Sequence, residues 1–169
     1  MKDNIARAVA ELIDRYEDRD PFALCAHLDI EILWHPMCEE IKGYFFLHQG
    51  VRIIVLNSEL DDFMKKMVCA HELGHAILHE HIVDRENFTI DFAVYDVSAK
   101  PELQANLFAG ELLVDDNDVL ELLEVYDNYF DIAGELGVSP ELLDFKIRMM
   151  QSKGHPLADF VNCRGDFLK

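Results

Sequence analysis

Residues 58–81 combine the apolar spacing of a helix with an unusual concentration of histidine, and no other stretch constrains the chain as strongly. Four of its eight histidines fall between residues 69 and 81. Apolar residues recur at helical intervals before and around them, so we predict one buried helix that ends near residue 81. Asn57 or Ser58 is expected to cap this helix, with Asp61 completing a capping box. Buried imidazoles need partners, so these histidines are expected to bind something.

His71, Glu72 and His75 form a His-Glu-x-x-His motif on the predicted helix. Residues i and i+4 lie on one helix face, so both imidazoles can reach one zinc ion at about 2.0–2.1 Å. Glu72 would project beside them, where a carboxylate can accept a proton from a water molecule. The motif therefore predicts a metal site suited to peptide hydrolysis.

A site of this kind needs a third protein ligand, and His81 is the first candidate. It has the spacing of the third histidine in the metzincin pattern, where a glycine breaks the helix before that histidine. This chain has Leu78 at the glycine position. Leucine resists the left-handed backbone of such a turn, so we expect the helix to continue and His81 to point away.

Glu102, at the start of the next predicted helix, is the second candidate for the third ligand. Its carboxylate could complete a His2Glu site. The alternative is that Glu102 is only a first-turn acid that the helix dipole favours. Asn106 lies one turn further on, where its amide oxygen could accept the second ring N–H of a ligand histidine. His79 follows His75 by one turn and is expected to pack or hydrogen-bond at the cleft edge.

The remaining pattern predicts one α+β domain over residues 1–169, with a small antiparallel sheet followed mostly by helices. Gln49-Gly50 separates two apolar runs and predicts a two-residue hairpin turn. The segment 84–99 has no period and is expected to be a loop. The last dozen or so residues are expected to form a loose tail. Helices are predicted at 3–17, from Pro21 to about Leu28, from Pro101, near 117–124 and 128–136, and over SPELLDFKIRMM, with a strand from Ile30.

Composition restricts the compartment and the partners. No apolar run is long enough to span a membrane and no signal peptide is visible, so we expect a cytoplasmic protein with no membrane partner. Its cysteines, Cys25, Cys38, Cys69 and Cys163, lack a Cys-x-x-Cys spacing and are expected to be free thiols. The formal net charge of -18 should repel nucleic acid and attract basic partners; the alternative is that the acidity only confers solubility.

A DNA-binding regulator is one alternative, because IAGELGVSPELL at 132–143 resembles a helix-turn-helix. Such a reading needs basic residues on the second helix. That helix offers Lys146 and Arg148 against Glu141 and Asp144. We therefore expect a short helical hairpin that packs on the core.

Two motifs in order, AHELGHAILH at 70–79 and ELQANLFAGELLV at 102–114, make the chain resemble the ImmA/IrrE family of metallopeptidases. Looser agreement extends over about residues 4–150. The resemblance implies a compact zincin-like domain of the short type found on phages and integrative elements. In this chain LLVDD replaces the proline that usually closes the second motif, so the loop that follows is not predicted by the resemblance.

The resemblance also implies the roles of the site residues. His71, His75 and Glu102 would bind Zn2+, and Glu72 would be the general base. Members relieve repression by cleaving a helix-turn-helix repressor, which would be the partner here. An oxyanion donor could come from Tyr44, Tyr95 or His79. The second alternative keeps fold and metal but not proteolysis: an anti-repressor that acts by binding, or a toxin.

Overall fold

The computed structural model describes residues 1–80 and 100–157 with their side chains, and the backbone of residues 89–91. His81, Tyr95, Cys163 and the expected C-terminal tail lie outside the described residues. Within the described part, the chain forms the α+β fold that the sequence predicts. Its elements are α1 (Lys2–Tyr16), α2 (Pro21–His27), β1 (Ile30–His35), β2 (Gly43–His48), β3 (Val51–Asn57), α3 (Asp62–Leu78), β4 (Thr89–Asp91), α4 (Lys100–Leu113), α5 (Asp116–Leu123), α6 (Tyr129–Glu135) and α7 (Pro140–Ser152).

The sheet has the strand order β1-β3-β2-β4 and is mixed rather than wholly antiparallel. The hairpin between β2 and β3 turns at Gln49 (φ 51°) and Gly50 (φ 84°), the positive angles that a type I′ turn requires. β1 pairs parallel to β3, from Ile30 opposite Arg52 to His35 opposite Asn57. The expectation of an antiparallel sheet was wrong here, because alternation of apolar residues predicts a strand but not its direction.

Strand β4 lies inside the segment 84–99 that was predicted to be a loop. Its three residues pair antiparallel with β2, with Ile90 opposite Tyr44. That part of the prediction was wrong, since three residues are too few to show the two-residue period of a strand.

Helix α3 begins and ends differently from the prediction. Asp61, not Asn57 or Ser58, is its N-cap, and the Asp61 carboxylate accepts a hydrogen bond from the Met64 N–H at 2.7 Å. The Asn57 amide is engaged elsewhere, where it donates to the Ile41 carbonyl oxygen at 3.0 Å. The helix ends at Leu78. The expectation that it continues to about residue 81, because leucine replaces the helix-breaking glycine, was therefore wrong.

The core lies between the sheet and the helices, with α3 packed on β2, β3 and α4, and α4 packed on α7. Helix α7 is largely buried, and Lys146 is only 1% exposed and pairs with Glu111 at 3.0 Å. Arg148 pairs with Asp144 at 2.7 Å. Helix α7 packs on α4 and α6, as expected for a short helical hairpin on the core.

The LLVDD segment forms an ordered connection from the end of α4 to α5, although it lacks the proline. Arg19 donates to the Leu112 carbonyl oxygen at 3.0 Å and pairs with Asp115 at 2.6 Å. Asp115 is also the N-cap of α5, accepting from the Asn117 N–H at 2.9 Å. Asp116 lies 2.5 Å from Lys146 Nζ, so the two acids join the end of α4 to the connection between α1 and α2 and to α7.

Within residues 1–80 and 100–157, none of the helices combines the length and the apolar character that crossing a membrane would need. Cys25, Cys38 and Cys69 are free thiols, as predicted.

Candidate metal centre

Two adjacent helices, α3 and α4, supply the candidate site. Helix α3 carries His71 and His75 on the face that meets α4, and both rings are buried. Glu102 lies in the first turn of α4 and is partly buried. The two helices can approach closely because the contacting residues include Gly74 on α3 and Ala105 on α4. The sequence therefore brings two distant motifs together through small residues at a helix–helix contact.

The possible ligand atoms converge tightly. Nε2 of His71 lies 3.1 Å from Nε2 of His75. Oε2 of Glu102 lies 3.4 Å from each of these two nitrogens. In the described part of the chain these three residues form a group that could hold a metal ion, with ligand atoms within 4.8 Å of one another.

This geometry fits a divalent ion such as zinc. With metal–ligand distances of about 2.0–2.2 Å, the ligand atoms of a tetrahedral site lie roughly 3.3–3.6 Å apart. The two separations from Glu102 lie within this range, and the separation of the two imidazole nitrogens is slightly shorter. Glu102 Oε2 is buried without a hydrogen-bond partner among the described residues, although it lies beside both rings. A bound cation would satisfy this oxygen, and two imidazoles with one carboxylate are donors that zinc prefers.

Hydrogen bonds at Nδ1, on the side of each ring away from Glu102, hold the His71 and His75 rings in place. Nδ1 of His71 lies 2.9 Å from Oδ1 of Asn106, the contact expected from the position of Asn106 one turn after Glu102. Nδ1 of His75 lies 3.1 Å from Nδ1 of His79, so His79 hydrogen-bonds at the edge of the site as expected. Both ligand rings therefore turn Nε2, not Nδ1, toward Glu102.

Gln104 is a residue of the site that the sequence analysis missed. Its Oε1 lies 3.2 Å from Nε2 of His79. It follows Glu102 by two residues, and positions i and i+2 of a helix do not share a face, so helical periodicity gave no signal for it. The i, i+4 spacing of His75 and His79 could have suggested that a further partner lies behind His79.

The electrostatics favour a charged carboxylate and a neutral thiol. Burial alone would raise the pKa of Glu102, but the rings of His71 and His75 outweigh it and hold that pKa below its ordinary value. Cys69 lies on α3 just before the motif. Its hydrogen bond with Cys25 and its burial raise the pKa of its thiol well above the usual value. Glu102 is therefore ready to bind a cation, whereas Cys69 stays protonated and does not compete as a ligand.

Glu72 follows His71 on α3 and is buried, with 1% of its surface exposed. Tyr44 is less well placed. Gly43, its neighbour on β2, lies against Val68 of α3. Because side chains alternate along a strand, Tyr44 points to the opposite face of the sheet, where its ring lies 5.9 Å from that of Phe46. The structure thus buries Glu72 on the helix that carries His71 and His75, and it turns Tyr44 away from α3.

Comparison with known proteins agrees with this arrangement. Residues 25–148 match the family model of the IrrE N-terminal-like domain, peptidase family M78, and this span includes both motifs. The chain is also 33% identical over 147 residues to the "Uncharacterized immunity region protein 2" of Bacillus phage phi105. That alignment covers 84% of this chain and 88% of the phage protein. The chain therefore belongs to the IrrE N-terminal-like family of M78 metallopeptidases, as the resemblance of its two motifs predicted.

Proposed function

We propose that this protein is a zinc-dependent peptidase that cleaves a helix-turn-helix repressor of a phage or integrative element and so relieves repression. The convergence of His71 Nε2, His75 Nε2 and Glu102 Oε2 within 3.4 Å is the observation that carries the proposal. These three side chains would hold the zinc ion. Zinc, when bound, supplies Lewis acidity, which strengthens water as a nucleophile near neutral pH and polarises the scissile carbonyl.

The chain's own residues divide the remaining work. Glu72 accepts a proton from the attacking water and delivers it to the leaving amine, so that the peptide bond breaks with the addition of one water. Its burial keeps bulk water from competing for that proton. Asn106 and His79 hold the two imidazoles so that both Nε2 atoms face Glu102. This division needs no additional residue for the proton transfers.

Two observations support a repressor as the substrate. The phage phi105 relative is named as an immunity region protein, and repressors maintain phage immunity. The net charge of -18 also suits a partner with a basic face, which a DNA-binding protein must present to phosphates. A cytoplasmic location follows from this proposal, since the repressor acts on DNA in that compartment.

The test is to incubate the purified protein and zinc with the product of an adjacent helix-turn-helix gene and to measure fragment masses. We expect two fragments whose masses add up to the repressor plus one water. The variant Glu72→Gln should bind zinc and repressor but produce no fragments. De-repression that survives Glu72→Gln in cells would instead favour the anti-repressor that acts by binding alone.

A further inference from the structure

We propose that His79 and Gln104 form a relay that fixes the tautomer of His75, which makes them positioning residues for the metal site. The inference rests on the proposed zinc site and extends it beyond the ligands. The relay consists of two consecutive contacts: Gln104 Oε1 to His79 Nε2 at 3.2 Å, and His79 Nδ1 to His75 Nδ1 at 3.1 Å.

The direction of the relay follows from what each atom can donate. The amide oxygen of Gln104 is only an acceptor, so His79 must donate its Nε2–H to it. A neutral imidazole carries one N–H, so Nδ1 of His79 is then unprotonated and accepts. The hydrogen bond between the two Nδ1 atoms therefore requires His75 to donate its Nδ1–H. This leaves the lone pair of His75 on Nε2, the atom that faces His71 and Glu102.

Because both rings are buried, the tautomer of His79 determines the tautomer of His75. His75 and His79 are 1% and 4% exposed, so water cannot easily replace the hydrogen bonds between them. If His79 carried its proton on Nδ1, His75 would have to accept on Nδ1 and place its own proton on Nε2, where it would block a ligand position. His71 has a simpler arrangement, because Asn106 Oδ1 contacts its Nδ1 directly. The two ligand rings are thus oriented by different means, one directly and one through a second histidine.

The experiment compares Gln104→Glu with Gln104→Leu. Glutamate keeps an acceptor for the His79 Nε2–H, whereas leucine has a similar volume and no acceptor. Gln151→Leu is the matched control, since Gln151 of α7 is another half-buried glutamine, and its amide donates to the Leu157 carbonyl oxygen. Zinc affinity is measured by competition with a chelator. The ring tautomers of the zinc-loaded protein are read from long-range proton–nitrogen NMR correlations.

We expect zinc affinity to fall about 10–100-fold in Gln104→Leu, the range typical of partners behind a ligand histidine, and to stay within about 3-fold of wild type in Gln104→Glu and Gln151→Leu. In the wild type His79 should carry its proton on Nε2 and His75 on Nδ1. The relay is overturned if His79 carries its proton on Nδ1, or if Gln104→Leu binds zinc as tightly as Gln151→Leu. A wild type that binds no zinc would contradict the proposed function as well, which distinguishes the two failures.

Discussion

Gly74 of α3 meets Ala105 of α4 so closely that a Cβ atom on Gly74 would lie 3.2 Å from the Ala105 Cα. The same Cβ would also lie 3.2 Å from the Cβ of Phe108. Gly74 is one residue before His75, and Ala105 is one residue before Asn106. The separation of the two helices at this point therefore sets the distance between the imidazoles and the groups of α4 that face them.

The variant Gly74→Ala should push the helices apart and weaken the site. Overpacking a close contact costs about 1–3 kcal/mol, which exceeds the helical gain of roughly 0.5–1 kcal/mol from replacing glycine by alanine. We expect a lower free energy of unfolding and weaker zinc binding, measured by urea denaturation and chelator competition. Gly134→Ala on α6 is the control, since a Cβ there meets nothing within 4 Å. That variant should be as stable as wild type or more so, and equal stability of the two variants would refute the packing argument.

The variant Glu72→Gln should remove catalysis without removing the metal. Glutamine keeps the size of the side chain but cannot accept and return a proton, and general base catalysis typically contributes about 10²–10⁴-fold to a rate. We expect kcat for repressor cleavage to fall by at least that factor while the zinc content per chain is unchanged. Cleavage near the wild-type rate would show that another group takes the proton.

Asp116 should make the stability of the fold sensitive to acid. Burial alone would raise its pKa, but Lys146 and Lys153 outweigh that effect and lower it below the ordinary value. A carboxyl with a lower pKa in the folded state stabilises the fold above its unfolded pKa of about 3.9, and this contribution disappears as the pH falls through the folded pKa.

Asp116→Asn should therefore lower the free energy of unfolding at about pH 7, and the difference from wild type should shrink below about pH 3. Asp118→Asn, at an exposed position on the same helix, serves as the control and should change little at either pH. Urea unfolding at both pH values measures the effect. A difference between Asp116→Asn and wild type that stays constant with pH would contradict the assignment.

Electrostatic attraction to a basic substrate should appear as salt dependence. The charge of -18 acts over a Debye length of about 30 Å at 0.01 M salt and only about 8 Å at 0.15 M salt. We expect kcat/KM for the repressor to fall over this range through slower association, with kcat unchanged. Stopped-flow binding at several salt concentrations measures the association rate separately from kcat. Association rates that are independent of salt would show that the acidic surface does not attract the substrate.

The fold was predictable where a local signal acts alone. A helix was predicted from Pro21, and in the structure Asp20 caps it, its carboxylate accepting from the Phe22 N–H at 2.8 Å. The predicted turn at Gln49-Gly50 is present, and Gly50 supplies one of its two positive φ angles without a steric penalty. Where the prediction failed, tertiary contacts overrode the local signal. Asn57 is a good helix cap in isolation, but the loop after β1 uses its amide, so Asp61 caps α3 instead.

The candidate site shows the same division. The spacing of His71 and His75 predicted that both rings would face one point, because helix geometry alone sets that relation. Glu102 could have been a first-turn acid only, and its place beside the rings depends on how closely α3 and α4 pack. The spacing of His75 and His79 hints at a further partner, but that this partner is Gln104 depends on the same packing of α3 against α4.

The most direct test of the central claim is the zinc stoichiometry of the purified protein and of Glu102→Ala, measured by equilibrium dialysis with metal analysis. The wild type should bind one zinc ion per chain, and Glu102→Ala should lose at least about 10-fold in affinity, because only two of the three ligands remain. Glu121→Ala, on the exposed surface of α5, should bind zinc like wild type. A wild type that binds no zinc, or a Glu102→Ala variant that binds it as tightly as wild type, would contradict the account.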